Sequence, residues 1–334
     1  MNRLSLLLSI GMLMAACNGR DKNDRGEAAS ILKKLPYASL TDSISRSGKE
    51  DQAGLYYRRG ELLSRNDLHE LAAADFKKAW EIHPDEATGL RYASTLTIIS
   101  RLQEAIRLLQ ECRKKFPGNP SFSNMLGDLY QQAGQTTAAL QLYNDMLKAD
   151  SLDFEAWYEK GLLLEKIQDT ASALEALRKA WSLQPVNTYA LELAHLYAEN
   201  RNSAAIDICD AVLRKDSTHE LIDPLFIKGI YYSNIGENKQ AIIQFDSCIR
   251  RDWKFTDAYL EKGIVLFHEK KYSDAGEVFQ MTIKVSNTYP DGYYWLGRCY
   301  EAAGHKDEAL LFYQRALALD KDFTEARQAI QRLK

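Results

Sequence analysis

The sequence predicts an all-α fold, a solenoid of about eight helix-turn-helix hairpins with a C-terminal capping helix. Three observations carry that expectation. Small residues return about every 34 positions through most of the chain. Between them, apolar residues recur at the 3.6-residue period of a helix with one buried stripe. The 334 residues hold only 7 Pro and 18 Gly, and 46% hydrophobic with 27% charged residues is the balance of a folded chain.

The N-terminus differs from the rest. Met1-Asn2-Arg3 is a short positive segment, and Leu4 to Ala16 is an apolar run ending in Ala15-Ala16 immediately before Cys17. A bilayer-spanning helix needs about 20 residues, so this run suits the hydrophobic segment of a secretory signal. Small residues before a cysteine resemble the bacterial lipobox. That resemblance implies cleavage before Cys17 and acylation of its thiol, with Met14 departing from the usual Leu. Several acyl chains on one residue anchor stably where one chain is marginal. Residues 1–16 are thus expected to be a lipoprotein signal, placing the chain in the cell envelope on the periplasmic face of the outer membrane. An ordinary signal peptide with an incidental cysteine is the alternative. Residues 17–52 are read as a tether, with a short helix over Tyr37 to Ser45 docking on the first repeat through Ala38, Leu40 and Ile44.

From residue 53 to 321 the repeat takes over. Its anchors are Gly60, Ser94, Gly127, Gly161, Ala194, Gly229, Gly263 and Gly297. Eleven or twelve residues after each comes an alanine: Ala72, Ala105, Ala139, Ala173, Ala205, Ala241, Ala275 and Ala309. Four further on sits a larger side chain such as Phe76, Tyr143, Phe245, Phe279 or Tyr313, with the smaller Cys209 in the fifth repeat. Small residues let two helices approach, and the large one fills the space beside them. Gly134, Gly236 and Gly304 fall seven residues after an anchor, where the first helix should stop in a left-handed residue. Pro84, Pro117 and Pro185 block continuation of second helices. Residues 322–334 form the capping helix, with Ala326, Ala329, Ile330 and Leu333 inward. One such hairpin cannot bury its own apolar face, but a stack can.

The pattern resembles the tetratricopeptide repeat family, in phase from about Ala53 to Asp320. The resemblance implies a right-handed superhelix whose concave surface is lined by the first helix of each hairpin and binds peptides or protein segments. No anchor is followed directly by Asn, so it does not extend to members that clamp the C-terminal carboxylates of heat-shock chaperones.

Catalytic chemistry finds no foothold. There is no GxGxxG, P-loop or GxSxG. His69-Glu70 and His268-Glu269 open like a zincin helix, but neither has a second His four residues on. Cys112, Cys209, Cys248 and Cys299 show no zinc or redox spacing. Their apolar positions favour buried thiols, with a Cys209–Cys248 bridge as the minor alternative. No enzyme activity, cofactor, metal or small-molecule substrate is expected. The net charge is -3, or -4 without residues 1–16, whose one charge is Arg3, and it offers nucleic acid no electrostatic footprint.

The expected function is therefore a non-catalytic, lipid-anchored interaction scaffold. The alternative is an obligate subunit of an outer-membrane, pilus or secretion assembly. Carried onto this chain, the family's groove falls three residues before and one after each anchor. It turns apolar in repeats six to eight: Phe226 and Ile230, Leu260 and Ile264 with Phe267, then Tyr294 and Arg298. Packing of these residues into the neighbouring helices is the competing reading. Arg298 is expected to pair a partner carboxylate. Phe226→Ser and Phe267→Ser are expected to weaken capture and leave helix content intact.

Overall fold

The computed structural model describes residues 30–333, and every regular element among them is a helix. The expected signal segment, Cys17 and Lys334 lie outside the described residues. No helix among the described residues is long and apolar enough to cross a membrane.

Contacts divide the chain into two compact units, one ending at Ala149 and the other beginning at Asp150. In the first unit, α1 (Ala38–Arg46) precedes three hairpins. These are α2 (Gln52–Ser64) with α3 (His69–Ile82), α4 (Glu86–Ile98) with α5 (Leu102–Lys115), and α6 (Ser121–Gln132) with α7 (Thr136–Ala149). The second unit holds five more. They are α8 (Phe154–Lys166) with α9 (Thr170–Leu183), and α10 (Asn187–Glu199) with α11 (Ala204–Lys215). Next come α12 (Asp223–Asn234) with α13 (Asn238–Arg251), and α14 (Thr256–His268) with α15 (Tyr272–Val285). The last hairpin is α16 (Pro290–Ala302) with α17 (Lys306–Leu319), closed by α18 (Thr324–Leu333).

Local chemistry sets the helix ends. Asp85, Asp153 and Asp169 accept hydrogen bonds from the backbone N–H of Thr88, Ala156 and Ser172, capping α4, α8 and α9, each cap contributing about 1 kcal/mol. Pro224 and Pro290 occupy the first turns of α12 and α16, where a missing N–H costs nothing. Every first helix ends in a residue with positive φ. Gly134, Gly236 and Gly304 take that position in three hairpins, and Asp67, Ser100, Gln168, Arg201 and Lys270 take it in the other five.

The hairpin cores repeat one contact. All eight alanines named above are fully buried, and so are the large side chains four residues beyond them. A Cβ placed on Gly263 would lie 2.4 Å from Cε1 of Phe279, and one on Gly229 2.4 Å from Cε1 of Phe245. Each glycine anchor and the residue sixteen further on are therefore direct partners. This contact corrects the second anchor. Ser94 is exposed while its neighbour Ala93 is fully buried. Ala93 also stands sixteen residues before Leu109 and seven before the positive-φ Ser100. The groove positions in repeat two move with it by one residue.

The first hairpin holds α1 through a buried ion pair. Arg59 donates to Asp75 from Nε at 2.6 Å and from Nη2 at 2.7 Å, and its Nη1 donates to Thr41 Oγ1 at 2.9 Å. Tyr37 and Ile44 are buried beside it. At the other end Ala326, Ala329 and Ile330 form the buried face of α18, and Arg332 bridges to Glu301 at 2.7 Å. The four cysteines among the described residues are free and buried, with burial raising each thiol to about 12.

Two glycines of the seventh hairpin should respond oppositely to alanine. Gly263→Ala drives a methyl into the Phe279 ring and is expected to cost roughly 2 kcal/mol. Gly276→Ala meets nothing closer than 3.8 Å and should gain about 1 kcal/mol from helix propensity alone. Thermal denaturation followed by circular dichroism separates the two signs.

Candidate functional site

The expected site lies within the second unit, on the first helices of the last three hairpins. Phe226 and Ile230 stand on α12, Leu260, Ile264 and Phe267 on α14, and Tyr294 and Arg298 on α16. The structure sorts them into two groups. Leu260 and Phe267 are each only 8% exposed and belong to a core with Ala275, Phe279, Leu296 and Cys299. The expectation that they offer surface is corrected here: α15 and α16 cover them. Phe226 and Ile230 are half-buried against the core around Phe245, with the Phe226 ring 5.2 Å from Phe255. Ile264 and Tyr294 are half-buried, the latter against Tyr313 and Phe323.

What the fold brings together is a cation in an aromatic bracket. The guanidinium of Arg298 lies 5.1 Å from the centre of the Phe267 ring, 5.3 Å from Trp295 and 5.9 Å from Tyr294. Its Nη1 also donates to Tyr294 Oη at 3.2 Å. Such contacts contribute from about 0.5 kcal/mol at the surface to about 2 when desolvated. Among the described residues Arg298 makes no ion pair. Glu301, three residues on, is held by Arg332 and by the hydroxyl of Tyr313. The rings thus hold the planar face of Arg298 in place, and Glu301 feels its charge while its hydrogen bonds go to Arg332 and Tyr313.

Beside this bracket lies a group that the rule of three-before and one-after leaves out. Asp257 and Glu261 stand six and two residues before the anchor of α14, and Asp291 and Trp295 hold the equivalent places on α16. Residues four apart share one helix face, so each pair forms a flank adjoining the first. Burial raises the Glu261 carboxyl to about 7, and repulsion from Asp257 and Asp291 adds to the shift. Burial likewise raises Asp291. Tyr289 donates its hydroxyl to Asp257 Oδ1 at 2.7 Å. No cation among the described residues pairs with the three carboxylates, and the neighbouring Lys262 is taken by Asp246 at 2.7 Å.

Two other features stand apart. Glu165 of α8 and His195 and Glu199 of α10 place their donor atoms within 4.8 Å of one another, a grouping whose spacing could hold a metal ion. A cavity of about 310 Å³ opens between α15 and α16, lined by Tyr272, Gly276, Leu296, Cys299, Tyr300 and His305 among others. Gly276 creates it, because the same position carries Ile106, Leu174, Ile206, Ile242 and Leu310 in other repeats.

Models of the tetratricopeptide repeat match residues 99–153, 124–188 and 290–323. The Homo sapiens protein called Tetratricopeptide repeat protein 6 is 25% identical over 199 residues, which cover 56% of this chain and 36% of that protein. The chain spans about a third or less of the length of the curated relatives it matches. Among solved structures, a tetratricopeptide repeat protein from Parabacteroides merdae superposes with a TM-score of 0.63 at 16% identity, over 73% of this chain and 97% of that one. PilW, a widely conserved type IV pilus biogenesis factor, superposes at 0.53 with 17% identity, over 63% and 97%. At these identities the likeness shows the fold.

The site generates two predictions. Phe267→Ser takes a ring out of the core and from under Arg298, so it should cost about 3–5 kcal/mol and lower the helix melt, contrary to the sequence expectation. Glu261 has a folded pKa of about 7 against an ordinary 4.5. Its stabilising contribution is therefore complete below pH 4.5 and is lost as the pH rises through 7. Glu261→Gln should melt above the wild-type chain at pH 8, with the gap closing towards pH 4.5. A gap independent of pH contradicts the assignment.

Proposed function

We propose that this chain, which carries tetratricopeptide repeats, is a non-catalytic interaction scaffold of the bacterial cell envelope. A lipid on Cys17 holds it at the periplasmic face of the outer membrane. The α12–α14–α16 surface takes up a segment of a protein or peptide partner. One observation carries the binding half of this reading: Arg298 is bracketed by three aromatic rings and, among the described residues, makes no ion pair, while two helical turns away three carboxylates pair with no cation among those residues. Groups held this way are ready to bind without reorganising, which lowers the entropic cost of capture. Aromatic and arginine side chains in such settings are the usual energetic centres of interfaces. The anchoring half rests on the apolar run and small pair before Cys17.

PilW shares the fold at TM-score 0.53, and its role in pilus biogenesis suggests a second reading, a permanent subunit of an envelope assembly. Cys17→Ser separates the readings. A scaffold should leave the membrane fraction, or stay unprocessed with its signal attached, and the processed form should run as a soluble monomer. Retention of the variant in a large detergent-stable complex favours the subunit. Unchanged fractionation as a free protein contradicts the lipid anchor.

A further inference from the structure

The charges left open on α14 and α16 lie at two separate places. Asp257 and Asp291 sit in the first turns of their helices, where the helix dipole favours a carboxylate. That accounts for these two but not for Glu261, one turn further in and largely desolvated. Arg298 is seven residues beyond Asp291 on the same helix, two turns or ~10 Å along its axis. Between the two poles stand Ile264, Tyr294 and Trp295, all half-buried. The helices α14 and α16 touch each other directly, so both poles and the apolar stretch belong to one continuous strip.

We propose that this strip selects a partner segment carrying a Lys or Arg side chain and, about 10 Å away, a carboxylate. The cation enters among Asp257, Glu261 and Asp291, and the carboxylate meets the guanidinium of Arg298. The inference rests on the scaffold reading above and adds the chemistry of the partner. Charge complementarity argues for it at each end. A cation among three carboxylates relieves their mutual repulsion, and a carboxylate at Arg298 finds a planar donor already oriented by its rings. In a polyproline-II stretch, residues three apart lie on one face about 9 Å from each other. The simplest matching sequence is therefore Lys-x-x-Glu, with apolar residues between. Both poles are needed for full affinity, because a segment with one charge leaves the opposite pole unpaired on a surface that binding dehydrates.

Isothermal titration of the full chain with a capped Lys-Pro-Pro-Glu peptide tests this, beside versions in which Gln replaces the Lys, the Glu or both. The expected result is binding at least about tenfold tighter for the doubly charged peptide than for either singly charged one. Glu261→Gln, which keeps the shape of the side chain, should reduce that preference. Arg298→Glu should transfer it to Lys-Pro-Pro-Lys, with circular dichroism confirming that both variants stay folded. Equal affinity for all four peptides, abolished by Tyr294→Ala, overturns the two-pole selection and leaves the strip as a docking surface. Absence of binding by any peptide overturns the proposal as well.

Discussion

Six of the eight hairpins depend on a close approach between a glycine and a large side chain sixteen positions later. Gly263 and Phe279 show the constraint most plainly: the ring occupies the space where a Cβ would stand. This contact fixes the separation of the two helices and buries the alanine four residues before the ring. In the other two the anchor keeps a methyl, and Leu109 stands sixteen residues after Ala93 and Cys209 fifteen after Ala194. The turn then needs a left-handed residue seven places after the anchor, and all eight hairpins supply one. Five do so without glycine, accepting the steric cost that an L side chain meets there.

The proposed docking strip is a by-product of the same constraint. With anchor and partner turned inward, the first helix of each hairpin has one flank committed to packing and a neighbouring flank free to vary. In α14 and α16 the committed flank carries Leu260, Phe267 and Leu296, and the free flank carries Asp257, Glu261, Asp291 and Arg298. Trp295 stands on the boundary, stacking on Phe279 below and bracketing Arg298 beside it. Core packing thereby sets the direction of the Arg298 guanidinium. The rigid contact and the open charges are two sides of one pair of helices.

Much of the fold is legible in the residues because it arises from local spacing. A small residue, an alanine eleven or twelve later and an apolar residue four beyond it can be found by counting. Ser94 misleads because Ala93 and Ser94 are both small, and only burial decides which of them faces Leu109. Leu260 and Phe267 mislead for a different reason. Residues three before and four after an anchor lie near the boundary between packing and free flanks, and which way they turn depends on the next hairpin. Phe267 is covered by Trp295, 28 residues away in sequence. The bracket around Arg298 is hidden likewise, since its rings come from two helices. The three carboxylates are scattered over Asp257, Glu261 and Asp291, so no contiguous motif announces them. The division at Ala149 and Asp150 leaves no mark on the period, which steps from Gly127 to Gly161 by an ordinary 34 residues.

A partner docked on the α14–α16 strip should be caught by site-specific photo-crosslinking in native membranes. A benzophenone side chain is placed at Tyr294 in one sample and at the exposed Ile243 of α13 in another. Docking on the strip gives a discrete partner adduct from position 294, reduced in the Arg298→Glu background, and none from position 243. Adducts from position 243 alone, or equal adducts from both, would place the partner elsewhere and refute the assignment of the strip.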